Sequence, residues 1–522
     1  MSVRRSKPSF LAMLWLLLVM TAAAANGATP PLRTPEAGPQ PHINGPTVYG
    51  VRPGRPFLYR IPCTGARPIR FSADALPSSL KLDSASGIIS GTAPDTPGKY
   101  ALRLIAENPH GKSTRSFVVE VGDRIGLTPQ MGWNDWYSYY DRITEADVRA
   151  SAQAMVASGM ADYGYQYVSI DDTWMMKPGS HDPAINGPVR DAAGAILPNR
   201  RFPDMPGLVR SIHDLGLKAG IYTSPGPRTC GGYEGSYRHE SQDAHQFAAW
   251  GFDLLKYDWC SYKQVATEQG ADRYEHPYRL MGGIVPNLDR DMILNFCEYG
   301  EADVWTWGRQ AGGNSWRTTG DLGLAPAGAL PGFYSIGMSN ALHAQYAGPG
   351  GWNDPDYILI GVVGDAHNGA APAHPTSLTP EEQYSYMSMW SLMAAPLFFS
   401  GEVTKLDAFT LNVLCNSEVI DIDQDSLGRQ AKVVRQTPNV LVLEKPLSDG
   451  SVAVGLFNLE DSQQQVSVEW ADLGLDGRQT VRDVWRQKDL PPVQSRYSTM
   501  LAAHDVMLVR LTPKAAFERG PQ

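Results

Sequence analysis

The residues in this chain best suited to chemistry are carboxylates, and they recur at one kind of place. Asp171, Asp172, Asp258, Glu298, Asp321 and Asp354 stand at or just past the ends of apolar runs, in company with Trp136, Lys256 and Arg317. The stretch Leu254-Leu255-Lys256-Tyr257-Asp258 shows the pattern best: an apolar run ends abruptly in an acid, and Trp259-Cys260 follow it. An isolated Asp in such a place can be a helix cap or a turn residue. At the end of a strand in a parallel barrel it faces a cavity instead. No Ser-His-Asp set is evident, and no Cys-x-x-Cys or His-Glu-x-x-His pattern occurs, so no metal site is signalled. Carboxylates gathered with aromatic side chains suit glycoside chemistry. One acid attacks the anomeric carbon or activates water, and the other protonates the leaving oxygen.

The elements that must position these groups start near Gly126. From there a unit repeats: amphipathic helix, Gly, apolar strand, polar residue. Thr144-Glu-Ala-Asp147 has the form of a capping box, and Val148, Ala152, Met155 and Val156 share one helical face. Gly164 ends that helix, and Tyr167 to Ile170 lead to Asp171-Asp172. Leu208, Val209, Ile212 and Leu215 line a second helix before the strand Leu217 to Thr223; Ala244, Phe247 and Ala248 line a third before the strand ending at Asp258. Met292 to Phe296 then run into Cys297-Glu298. Strands alternating with helices over residues 123–428 predict a parallel (β/α)8 TIM barrel. A doubly wound sheet is the alternative, but no Gly-x-Gly-x-x-Gly turn follows the first strand.

The flanks have a different texture. Arg4, Arg5 and Lys7, an apolar run from Phe10 to Met20 and a string of alanines predict a signal peptide over 1–25, hence export, periplasmic or extracellular, with no stable membrane insertion after cleavage. A linker at 26–40 and an all-β sandwich at 41–122 follow; after 429 strands alone return, predicting a C-terminal antiparallel β-sandwich to 513 and a tail at 514–522. A net charge of -9 argues against a nucleic-acid partner. Five Cys fit one disulfide with buried thiols rather than a disulfide framework. Oligomeric state is left open.

Residues 126–510 resemble the retaining α-galactosidases (melibiases) of glycoside hydrolase family 27. The likeness rests on blocks in family order: Leu127 to Trp136, Gly164 to Trp174, Gly220 to Tyr222 with Thr229-Cys230, Leu255 to Cys260, Cys297 to Gly300, Ser315 to Asp321, Gly351 to Asp356 and Ala394 to Leu397. Residues 41–122 resemble bacterial Ig-like modules attached to extracellular enzymes, for which a spacer role is expected. The resemblance implies Asp258 as nucleophile and Asp321 as general acid/base. It implies Asp171 and Asp172 on the 4- and 6-hydroxyls of a terminal sugar, Lys256 near the 3- and 4-hydroxyls, and Arg317 on the 2- and 3-hydroxyls. Trp136 would be an apolar wall, Cys297, Glu298 and Tyr299 would lie about the 2-hydroxyl, and Cys230 and Cys260 would form a disulfide. The implied substrate is a terminal α-linked galactoside, cleaved without cofactor at carboxyls about 5–5.5 Å apart. Lys256, two residues before Asp258, is expected to hold it ionised, and Asp321 to sit in a less compensated setting.

The chain also departs from the family. Asp141 and Thr173 stand where many members carry a second disulfide, so the first two barrel loops should be held by packing or hydrogen bonds. Asp135 and Trp259 replace small residues, and Trp259 is the residue expected to alter the pocket most. An α-N-acetylgalactosaminidase, a β-L-arabinopyranosidase, an isomaltose-releasing enzyme and a non-catalytic carbohydrate-binding barrel therefore remain as alternatives.

Overall fold

The computed structural model describes residues 30–323, 326–327, 330–364 and 372–513; the signal peptide, the start of the linker and the tail expected from the sequence lie outside them. At the centre are eight short parallel strands: β1 (Met131–Asn134), β2 (Tyr167–Ser169), β3 (Lys218–Thr223), β4 (Leu254–Asp258), β5 (Ile293–Cys297), β6 (Ser315–Arg317), β7 (Trp352–Asp354) and β8 (Leu397–Phe399). Each of β1 to β6 pairs with the next, and β8 returns to β1. The ring closes where Ile358, four residues past β7, bridges Phe399 of β8. The doubly wound alternative is thereby excluded. β3 and β4 are buried along their whole length, as strands covered on both faces must be.

Helices α1 (Glu145–Ala157), α2 (Met205–Asp214), α3 (Glu240–Trp250) and α4 (Asp272–Ile284) pack around the first half of the ring. The box at the start of α1 is formed from both sides: Thr144 N donates to Asp147 Oδ2 (3.0 Å) and Asp147 N to Thr144 Oγ1 (3.3 Å). Val148, Ala152 and Met155 are buried beneath it, as are Leu208, Val209 and Ile212 of α2, while Val156 and Leu215 stay half-buried at the edges.

The N-terminal module stacks a four-stranded sheet (Val48–Val51, Gly111–Val121, Gly98–Asn108, Arg70–Asp74) on a three-stranded one (Pro56–Arg60, Ile88–Thr92, Leu80–Leu82) around its own core. It is seated on the barrel rather than tethered to it: Arg52 bonds Asp291 (2.9 Å), Arg67 bonds Asp162 (2.8 Å), and Asn44 donates to the Asp162 carbonyl (2.8 Å). Part of the expected linker is anchored as well. Arg33 pairs with Asp505 (2.8 Å), and Asn412 both receives the Thr34 N–H (3.0 Å) and donates to its carbonyl (2.7 Å). The C-terminal domain stands a six-stranded antiparallel sheet beside a two-stranded one, with a third apolar core.

Candidate active site

Because the barrel strands are parallel, their polar ends converge on one mouth. A narrow cavity there is lined by six of the residues singled out in the sequence: Trp136, Asp171, Lys256, Asp258, Arg317 and Asp321. Four more side chains complete it, Tyr137, Tyr222, Asp356 and Tyr357.

Asp258 ends β4 and is 6% exposed. Two phenols clamp it: Tyr299 donates to Oδ1 (2.5 Å) and Tyr222 to Oδ2 (3.1 Å). Burial pushes its carboxyl up to about 7, against the pull of Lys256 and the Tyr299 hydrogen bond. The expectation that Lys256 would hold Asp258 ionised is thus only half met. Lys256 pulls in the predicted direction, but its Nζ is committed to Asp171 Oδ2 at 2.7 Å. Asn134 (2.9 Å) and Tyr357 (3.0 Å) donate to the same oxygen, while Asp171 Oδ1 accepts the Asp172 N–H (2.9 Å). Burial opposes the charge of Lys256, but Asp171, Tyr357 and Asp258 outweigh it and keep the ammonium group protonated.

Asp321 is the more open acid, its side chain 38% exposed at the rim. A less compensated setting is expected for it from the sequence, and among the described residues its one cationic contact is Arg317 Nη2, which reaches Oδ1 at 3.3 Å. The same guanidinium contacts Asp356 Oδ2 (3.1 Å) and the Gly320 carbonyl (2.7 Å), so its charge is shared between two acids. Asp356 also accepts from Tyr137 (3.1 Å) and from the Leu322 N–H (2.8 Å), which pins the strand-end loop carrying Asp321.

The remaining candidates stand outside the lining. Asp172 is buried beside Asp171, its oxygens taking the N–H groups of Gly231 (2.7 Å) and Thr173 (2.6 Å), and burial pushes its carboxyl up to about 6. The Cys297 thiol meets Arg317 Nη1 at 3.7 Å. Glu298, just past the end of β5, is wholly buried with Oε2 unpartnered. Burial holds its carboxyl well above the usual range. Tyr299 reaches the site only through its hydroxyl, on a backbone at φ 65°. Asp354 accepts from Asn295 (2.8 Å) and from the Asp356 N–H (2.9 Å), so Asp356 rather than Asp354 reaches the cavity.

Trp259 does not shape the cavity. Its ring lies against Tyr274 of α4 at 4.6 Å, because the residue after Asp258 faces away from the barrel axis. Asp135 is buried too, accepting the Asp171 N–H at 2.6 Å. Tyr137, Tyr222 and Tyr357 escape a reading that searches for charge after strands. Asp356 is hidden by the turn that carries it at φ 81°.

Cys230 and Cys260 form the disulfide, with Cα atoms 5.0 Å apart, and Tyr299 Oη lies 3.3 Å from Cys230 Sγ. Cys230, Asp258 and Cys260 are the one cluster of metal-ligand type atoms among the described residues, and both sulfurs are spent in that bond. Cys63, Cys297 and Cys415 are buried thiols. No disulfide ties Asp141 to Thr173. Arg201 instead donates to the Asp141 carbonyl and pairs with Asp182 (2.9 Å), and Asn199 donates to the Thr173 carbonyl (2.7 Å).

The chain matches the family "Alpha galactosidase A" over residues 128–425, the "Alpha galactosidase C-terminal beta sandwich domain" over 438–511 and an Ig-domain family over 40–122. It is 37% identical to an α-galactosidase of Cyamopsis tetragonoloba, covering 79% of this chain and 92% of that protein. It is 38% identical to an α-galactosidase of Oryza sativa subsp. japonica, covering 74% of this chain and 86% of that protein. A Bacteroides fragilis structure assigned to the α-galactosidase/melibiase class superposes with a TM-score of 0.84 at 35% identity, covering 92% of this chain and 99% of that one. With its acids gathered at the mouth of an eight-stranded barrel and these relatives spanning most of its length, the chain belongs to the melibiase family of glycoside hydrolases, family 27.

Proposed function

We propose that the protein is an exo-acting α-galactosidase that removes terminal α-linked galactose with retention of configuration, in two displacements. The observation that carries this reading is the pairing of an enclosed acid, Asp258, with a rim acid, Asp321, in one cavity. Asp258 is the nucleophile. The phenols of Tyr222 and Tyr299 fix both its oxygens, so attack on the anomeric carbon needs little reorganisation. Asp321 is the general acid/base. Its exposure lets it meet the leaving-group oxygen first and then a water.

The proton must lie on Asp321 when the glycosidic oxygen arrives, whereas burial favours it on Asp258. Positive charge developing at the anomeric carbon stabilises the Asp258 carboxylate and reverses that preference. Once Asp258 is esterified its charge is gone, and Asp321 acts as the base that takes a proton from the attacking water. At the closed end of the cavity, Lys256 and Asp171 form a fixed donor-acceptor pair for ring hydroxyls, and Trp136 supplies an apolar wall.

Export through an N-terminal leader belongs to the same proposal. The Cys230–Cys260 disulfide fits an oxidising compartment, and no helix among the described residues is long and apolar enough to cross a membrane.

The decisive experiment is a panel of aryl glycosides, with the anomer of the first-formed sugar followed by NMR. α-Galactoside should be hydrolysed well ahead of N-acetyl-α-galactosaminide, β-L-arabinopyranoside and α-glucoside, with the α-anomer appearing first. Asp258→Asn and Asp321→Asn should each abolish turnover in a folded protein. Release of the β-anomer first, or full activity of Asp258→Asn, refutes the mechanism.

A further inference from the structure

The catalytic cavity opens between two of its lining residues. Trp136 is half-buried and Asp321 stands at the rim, while the other lining side chains are buried. A leaving group protonated by Asp321 therefore emerges past the outer edge of Trp136.

Tyr140 extends that edge. Residues Trp136–Tyr139 make one helical turn, and the Tyr140 N–H closes it on the Trp136 carbonyl. The turn brings the two rings together, with centroids 4.8 Å apart and planes tilted by 48°. Tyr140 stays half-buried, and among the described residues nothing bonds its hydroxyl. Burial, with the charges of Asp141 and Asp172, pushes the phenol up, so the hydroxyl remains a neutral donor.

The backbone of Tyr140 lies at φ 51°, ψ -126°, a conformation that suits glycine. Its neighbours hold it there. The Ser138 hydroxyl bonds the Ser400 carbonyl (2.7 Å), the Tyr139 hydroxyl bonds Glu402, and Arg201 bonds the Asp141 carbonyl. None of these bonds uses the Tyr140 side chain. A bulky residue kept against its backbone preference beside a catalytic mouth is the kind of position where strain serves ligand contact.

We propose that Tyr140, with the outer edge of Trp136, is the platform on which the first sugar ring of the leaving group stacks. This rests on the α-galactosidase reading above and narrows its substrate class. The apolar face of a pyranose covers the aromatic ring, and the free hydroxyl donates to a sugar hydroxyl at the ring's edge. Galactose joined to a second pyranose is thereby favoured over galactosides whose leaving group has no ring, because binding energy remote from the scissile bond is spent on the reaction.

The test compares kcat/KM of the full chain for two substrates, an α-1,6-galactosyl-glucose disaccharide and α-galactosyl fluoride, whose leaving group has no ring. Tyr140→Gly deletes the platform and suits the backbone, so it should fold. Its ratio of kcat/KM, disaccharide over fluoride, should fall about five- to tenfold. Tyr140→Phe keeps the ring and should lose only about two- to threefold, the share of the hydroxyl. Should Tyr140→Gly not fold, Tyr140→Asn, which also tolerates positive φ, should show the same fall. An unchanged ratio in the ring-deleted variant, whether both rates hold or both drop equally, overturns the proposal and makes Tyr140 a packing residue. Failure of the parent to cleave either galactoside would instead overturn the α-galactosidase reading, and the platform with it.

Discussion

Replacing Tyr299 by Phe removes one O–H from the carboxylate proposed as nucleophile and leaves its other support, Tyr222, in place. The bond is short, 2.5 Å, and its acceptor is almost fully buried. A hydrogen bond to a charged group in such a place contributes about 1.5–3 kcal/mol, and 1.36 kcal/mol corresponds to one pH unit. The bond favours the ionised form, so its loss moves the Asp258 carboxyl upward by about one to two pH units. The starting point is about 7. The pH profile of kcat/KM for an aryl α-galactoside reports the free enzyme, so its acid limb should shift alkaline by that amount. Well below the limb, Tyr299→Phe should be about 10–100-fold slower than the parent, while at high pH the two converge. An unmoved limb, or an equal loss at every pH, refutes a role on the charge of Asp258 and leaves Tyr299 a packing or substrate contact.

Asp258→Asn should stabilise the fold at neutral pH. A carboxyl near 7 when folded, against 3.8 for an unperturbed aspartate, binds its proton more tightly in the folded state. The folded state is therefore favoured below about pH 4 and loses that advantage as pH rises through 7. The variant's gain, up to about 4 kcal/mol at pH 8, should vanish at pH 4 in urea titrations. Cys230→Ser with Cys260→Ser opens a cross-link between residues 30 apart and should cost roughly 3–4 kcal/mol, read as a lower thermal midpoint. It should lower kcat/KM as well, because the sulfurs rest against Tyr299. Arg201→Met should loosen the loops after β1 and β2, seen as faster hydrogen exchange around Asp141 and Asp182 and a higher KM; unchanged exchange there would assign their order to packing alone.

Much of this molecule is legible in the chain. The alternation of helical faces, glycines and apolar runs marks the barrel, because each strand must be apolar on both sides and each helix on one. That same rule places Asp171, Lys256, Asp258 and Arg317 together, since strand ends in a closed parallel ring can only converge. What the chain conceals is which way a residue faces once strands are this short. Trp259 sits next to a cavity residue in sequence and packs away from the cavity, while Asp356 reaches it by a turn no periodicity encodes. Charge partners are hidden as well. Lys256 lies two residues from Asp258 yet binds Asp171, 85 residues away in sequence, and Arg317 divides itself between Asp321 and Asp356. The seating of the Ig-like module on the barrel floor, with Lys218 bonded to Tyr49 at the junction, belongs to the same class: residues of separate domains meet there only because the tertiary fold brings their surfaces together, and burial and pairing are properties of that meeting.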